Sequence, residues 1–138
     1  MRLLPLLSAL SLAACVTPAL SNDDVAGVDW HLIGLEGQPV TWSAVLKFDG
    51  DQVGGKAPCN SWGGKNMATL PEFSLGPVRA TRMACPDLPA ETAFFEALRA
   101  MQRAELDQGH LYLTGPEGRV MEFARDPAEP CLYCLARQ

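Results

Sequence analysis

The sequence predicts a mostly-β, α+β domain: an antiparallel sheet curled into a barrel or half barrel, with one α-helix over an open end or face. Three observations carry this. Short apolar-alternating runs recur between turn signals, one segment alone holds its apolar residues at helical spacing, and no internal repeat breaks the pattern. At 138 residues the chain is one domain's worth. An apolar share of 48% with a net charge of −5 does not fit a disordered chain.

The first strand is read at Trp30 to Leu35, ending at Gly34 and Gly37. Ala44 to Phe48 is the second, Asp49-Gly50-Asp51 turns, and Gln52 to Gly55 returns as its hairpin partner. Residues 56–66 are rich in Gly and Asn and read as a loop. Met67 to Leu75 holds short strand candidates broken by Pro71, and Val78 to Ala84 alternates as a better strand. Pro89 to Glu105 is the helix. Proline suits a first turn, where its missing N–H would have no partner, and Glu91 suits the positive end of the dipole. Phe94, Phe95, Leu98 and Met101 form its apolar stripe, read as core-facing. His110 to Thr114 and Val120 to Ala124 form a last hairpin around Gly115-Pro116-Glu117-Gly118.

The N-terminus reads as an address. Arg2, an apolar run from Leu3 to Leu12, and small Ala13 and Ala14 describe a secretory signal. Leu12-Ala13-Ala14-Cys15 resembles the lipobox of bacterial lipoproteins, which implies cleavage before Cys15 and lipid on its sulfur. A single acyl chain anchors only reversibly, so stable attachment needs the two or three chains such cysteines carry. In that family Asp after the cysteine usually signals inner-membrane retention. This chain has Val16, which implies the periplasmic face of the outer membrane. The expected organisation is a signal peptide at 1–14, a lipidated cysteine and flexible tether at 15–27, a folded domain at 28–124 and a tail at 125–138.

Four further cysteines remain: Cys59, Cys85, Cys131 and Cys134. In an exported, oxidising compartment an even count favours disulfides, and four cysteines allow three connectivities. Cys59 with Cys85 and Cys131 with Cys134 is the favoured pairing. A crossed arrangement, tying the tail to Cys59 or Cys85, is the rival. Cys131-Leu132-Tyr133-Cys134 also has the spacing of redox and zinc sites. A redox cysteine wants a helix N-terminus, and with Pro127 and Pro130 before the pair and four residues after it, little helix is expected there. Zinc would need two more ligands, which Cys59 and Cys85 would have to supply.

The central residues resemble the META domain, the HslJ-like family of bacterial exported proteins. Trp30-x-Leu32, Leu35-x-Gly37, Leu46-x-Phe48 and Val53-x-Gly55 match its opening and first hairpin. Cys59-Asn60 with Gly64, and Thr81-x-Met83-Ala84-Cys85, match its two cysteine segments. Glu91, Phe94 and Leu98 match its helix, and Leu111-x-Leu113 with Phe123 its last hairpin. Pro58 stands where the family usually has glycine and Asn66 where it has an aromatic, and the CxxC tail lies outside the pattern. The resemblance implies a lipocalin-like, incompletely closed barrel and, in some members, a link to envelope stress and antibiotic tolerance. It implies no catalytic activity.

The residues agree. Acyl transfer needs a nucleophile beside a base and an orienting acid, yet His31 and His110 sit in no such motif and read as strand-surface residues. No phosphate loop, metalloprotease motif or nucleophile elbow is present. An isoelectric point near 4.9 argues against nucleic acid. No catalytic residue, metal or cofactor is assigned. Asn60 and Thr81 read as structural, Met83 as core filler, and Asn60 with Trp62 as a candidate binding surface should the glycine-rich loop expose the indole. The expected protein is a non-enzymatic, monomeric, lipid-anchored envelope protein with an envelope partner. The alternatives are a small-ligand-binding module using the barrel interior, and a thiol–disulfide redox protein using Cys131 and Cys134.

Overall fold

The computed structural model describes residues 18–138. The signal segment and Cys15 lie outside the described residues. Among the described residues nine strands form one antiparallel sheet: β1 (Trp30–Leu35), β2 (Gln38–Pro39), β3 (Val45–Asp49), β4 (Gln52–Lys56), β5 (Ser61–Lys65), β6 (Arg79–Ala80), β7 (Arg103–Asp107), β8 (His110–Thr114) and β9 (Val120–Ala124). The order is β6-β5-β4-β3-β1-β9-β8-β7, with β2 paired to β1. The sheet does not close by a strand ladder. Residues 66–75 cross from β5 toward β7 instead, through single bridges Asn66–Leu75 and Glu72–Arg103. The result is the open, barrel-like fold that the sequence predicts.

The helix α2 (Leu88–Ala100) lays its stripe on the sheet. Phe94 and Leu98 are fully buried, Phe95 and Met101 nearly so, among Trp30, Leu46, Leu111, Leu113, Met121 and Phe123. Burying each such side chain contributes about 1.5–3 kcal/mol, so this stripe is what holds the helix in place. The helix ends at Ala100, earlier than the expected Glu105. Met101 turns to extended backbone, and Gln102 donates its N–H to Thr114 O, so the following residues enter β7.

Three other expectations give way. The loop expected at 56–66 contains β5. Its glycines allow rather than prevent pairing: Gly54 opposes Gly63, and a Cβ on Gly54 would strike the Trp62 carbonyl at 2.7 Å. The strand expected at Val78–Ala84 shrinks to β6: Thr81 N–H still donates to Ser61 O of β5, but beyond it a side chain, that of Asn60, takes the Met83 N–H and carbonyl. Met67–Leu75 forms no strand either. Asn66 holds this segment as a loop, its Oδ1 accepting from Ala68 N and Ser74 N and its Nδ2 donating to Glu72 O.

The fold also begins before Val28. A short helix α1 (Asn22–Val25) starts at Ser21, where Asp24 accepts from both the Ser21 N–H and hydroxyl. Val25 is fully buried and its carbonyl accepts from Trp30 Nε1 at 3.0 Å. The later half of the expected tether is therefore packed chain. A third helix, α3 (Leu132–Ala136), closes the C-terminus.

Candidate functional site

Two polar clusters stand out among the described residues. The first joins the two cysteine segments to α2. Cys59 bonds to Cys85, as the favoured pairing has it. Asn60 is buried between them. Its N–H donates to Glu91 Oε2 at 2.9 Å and its Nδ2 to Glu91 Oε1 at 2.7 Å. Cys59 N also donates to Glu91 Oε2, at 2.8 Å. On the other side, Asn60 Oδ1 accepts from the Thr81 hydroxyl at 3.0 Å and from Met83 N at 2.6 Å. This explains the short β6: Asn60 takes the Met83 N–H and carbonyl that a further ladder would have used. It also changes the role of Glu91, which serves this cluster rather than the helix dipole alone.

Trp62 is not exposed. It packs edge-on against Phe94 and Phe95, with centroids 5.9 and 5.7 Å away, and only 6% of it reaches solvent. Strand alternation in β5 turns the indole inward, so Asn60 and Trp62 present no joint surface. Met83, expected in the core, is 62% exposed. The Thr81–Met83 stretch is held by its backbone, which leaves the thioether free to point outward.

The second cluster lies on the outer face of the barrel, under the tail. In β9, Met121 and Phe123 point into the core, while Val120, Glu122 and Ala124 point outward and are nonetheless buried. The tail roofs them. Glu122 is 1% exposed and is satisfied on all sides. Its Oε1 lies 2.7 Å from His110 Nδ1 and accepts from Leu132 N at 2.8 Å and the Tyr112 hydroxyl at 3.2 Å. Its Oε2 accepts from Tyr133 N at 2.9 Å and touches Cys131 Sγ at 3.1 Å. His110 Nε2 lies 2.8 Å from Glu129 Oε2, and that carboxylate reaches solvent.

His110 is thus buried, not a strand-surface residue; His31 is half-buried. Burial works against a charged imidazole, but the hydrogen bonds to Glu122 and Glu129 outweigh it and raise His110 above its ordinary 6.5. Burial and the Glu122 charge push the Tyr112 hydroxyl up to about 12, so it stays a donor. Cys131 and Cys134 are bonded to each other. Cys131 caps α3, its Sγ accepting from Cys134 N at 3.2 Å, so a helix does begin at this motif despite the two prolines. With their sulfurs joined, Glu122, Cys131 and Cys134 offer no thiolates to a metal, and Cys59 and Cys85 are committed elsewhere.

Gly34 in β1 is the floor beneath this disulfide. It pairs with Glu122, and a Cβ there would collide with Cys131 Sγ and sit 3.1 Å from Cys134 Sγ. Beside it opens a groove of about 480 Å³ lined by Pro39, Val40, Trp42, Pro130 and both cysteines. No sequence motif marked Glu122. Its one signal was a carboxylate at an outward position of a strand, which in isolation reads as solvated.

An open antiparallel barrel with a covering helix and the Asn60–Glu91 lock defines the class of protein. The META domain model matches residues 23–128, and the chain belongs to that family. No curated protein matches it. Among solved structures it is similar to one determined by NMR, with 19% identity and a TM-score of 0.61 over 80% of this chain and 99% of that one. A second, an NMR structure of a protein from Burkholderia xenovorans, has 19% identity and a TM-score of 0.60 over 88% of this chain and 99% of that one. At that identity these likenesses speak for the fold alone.

Proposed function

We infer that this chain is a lipid-anchored protein of the bacterial cell envelope. Its META domain works without catalysis, in a structural or stress-protective role through contacts with envelope components. The observation that carries the reading is the cysteine pairing. All four cysteines among the described residues are joined in two disulfides, the state an oxidising, exported compartment favours. Arg2, the apolar run to Leu12 and Ala13-Ala14-Cys15 supply the address. Val16 after the cysteine supports the periplasmic face of the outer membrane. The packing of Trp30, Phe94 and Phe123 inside the barrel lends no support to a small ligand there.

Because packed chain begins near Leu20, about five residues separate Cys15 from the domain. They reach at most ~17 Å, so an anchored domain sits close to the lipid surface. Mass spectrometry of the native membrane fraction tests this. The expected product starts at an acylated Cys15, and Cys15→Ala releases or mislocalises it. An unprocessed chain, or unchanged fractionation of the variant, overturns the reading. Crosslinking from intact cells with the anchored form then identifies the partner.

A further inference from the structure

We propose that Cys131–Cys134 is a reversible thiol–disulfide exchange site, with Glu122 as the buried group that takes and returns the Cys131 proton. The proposal does not depend on the anchor. It starts from a disproportion. The Cys59–Cys85 bridge spans 26 positions and ties a loop to α2's surroundings. The Cys131–Cys134 bridge spans three and ties the tail only to itself. What docks the tail is Glu122, through the N–H groups of Leu132 and Tyr133. A carboxylate buried to 1% exposure is costly, and docking alone does not require it to touch a sulfur.

The contacts divide the two sulfurs between roles. Cys131 Sγ is boxed in by Glu122 Oε2, Cys134 N and the Gly34 backbone. A thiolate approaching it would meet the Glu122 charge. Both sulfurs line the groove, but only Cys131 Sγ is hydrogen-bonded to the carboxylate. The incoming thiolate therefore attacks Cys134, forming an intermolecular S–S bond as the Cys131–Cys134 bond breaks. Cys131 leaves with the electron pair, steadied by the Cys134 N–H, and takes up the proton lost by the attacking thiol, which Glu122 Oε2 accepts and passes on. A second thiolate attacks the mixed disulfide at the outer sulfur and releases Cys134, which takes up the proton that second thiol lost. Two thiols become one disulfide, and the bridge takes up two electrons and two protons. In reverse, Glu122 Oε2 accepts the Cys131 proton so that the thiolate can close onto Cys134.

His110 is the positioning residue. It holds Oε1, keeping Oε2 toward the sulfur, and its second nitrogen links to Glu129 at the surface. The other groups facing Glu122 are Tyr112 from β8, with Asp107 acting on that tyrosine's hydroxyl, and the tail's Tyr133 backbone; Gly34 faces it from β1 without charge. The co-reactant is a thiol or disulfide, either a small molecule or a cysteine in an extended peptide. The groove walls of Pro39, Val40 and Trp42 favour the peptide.

The test uses the full chain as the cell makes it, equilibrated with reduced and oxidised glutathione, then alkylated and mapped by mass spectrometry. Cys131–Cys134 should open and close reversibly in the folded protein while Cys59–Cys85 stays closed. Cys131→Ser, which leaves Cys134 free, should form a mixed disulfide with glutathione at least tenfold faster than Cys134→Ser. In Glu122→Gln, closure of the reduced pair by oxidised glutathione should slow at least tenfold at pH 6, where free thiolate is scarce, and approach the wild-type rate at pH 9. A merely structural carboxylate would give an offset independent of pH. A cysteine-bearing unstructured peptide run in parallel should react faster than glutathione; glutathione reacting faster assigns the site to small thiols. A bridge that opens only on unfolding, or equal trapping in the two serine variants, overturns the proposal.

Discussion

Asn60 and Glu91 lie 31 positions apart in sequence and meet through two hydrogen bonds, Nδ2 to Oε1 at 2.7 Å and backbone N–H to Oε2 at 2.9 Å. One side chain thereby joins β5's entry, α2 and the 81–83 segment, with the Cys59–Cys85 bond alongside. Shared burial makes this pair a structural lock, because the side chains of Asn60 and Glu91 are both buried and each would be dry and short of a partner without the other.

Asn60→Ala should therefore be among the most damaging single changes in this region. It strands Glu91 Oε1 and the Met83 N–H together, at a cost of about 1–3 kcal/mol for each group left unpaired. Urea denaturation should show a midpoint well below the parent's. A loss under about 0.5 kcal/mol would mean that water replaces these bonds without penalty.

The two disulfides should contribute unequally. In the loop-entropy account, removing Cys59–Cys85 as a double serine variant costs about 3 kcal/mol, and removing the short Cys131–Cys134 loop about 2 kcal/mol. Thermal melts of the two double variants rank them. The opposite order would show that the C-terminal bridge holds more of the fold than its own turn.

The His110 pair gives a signed dependence on pH. Its pKa is raised in the fold, so its contribution is fully present below 6.5 and is lost as pH rises through the higher folded value. NMR titration of the imidazole should find that value above 6.5, and Glu122→Gln should lower it. The stability gap between the parent and His110→Asn should narrow as pH climbs from 6 past the folded value. A gap that stays constant contradicts the assignment.

Gly34→Ala tests the floor of the tail. The added methyl falls on Cys131 Sγ, and such overpacking costs about 1–3 kcal/mol. Limited proteolysis should cut the variant after residue 125 sooner than the parent, with the barrel surviving. Equal protection would show that the tail can shift without loss.

The first hairpin, the last hairpin and the apolar stripe of α2 were legible in the residues, because alternation and helical spacing report a core locally. The glycine-rich β5 was not, since its evidence lies in the partner: Gly54 and Gly63 make sense only face to face. Trp62 misled for the same reason. Its neighbours in sequence are small, while its neighbours in space are Phe94 and Phe95.

Sequence by itself determined the class of the molecule, the family it belongs to and the cysteine count that pairs in two bridges. Those properties follow from local spacing and composition. Tertiary structure decided that Asn60 locks onto Glu91, that His110 is buried, and that Glu122 sits beneath the C-terminal sulfurs. A carboxylate on an outward strand position looks solvated until another part of the chain covers it, and burial, which sets the cost and the chemistry of a charge, is a property of the folded neighbourhood alone.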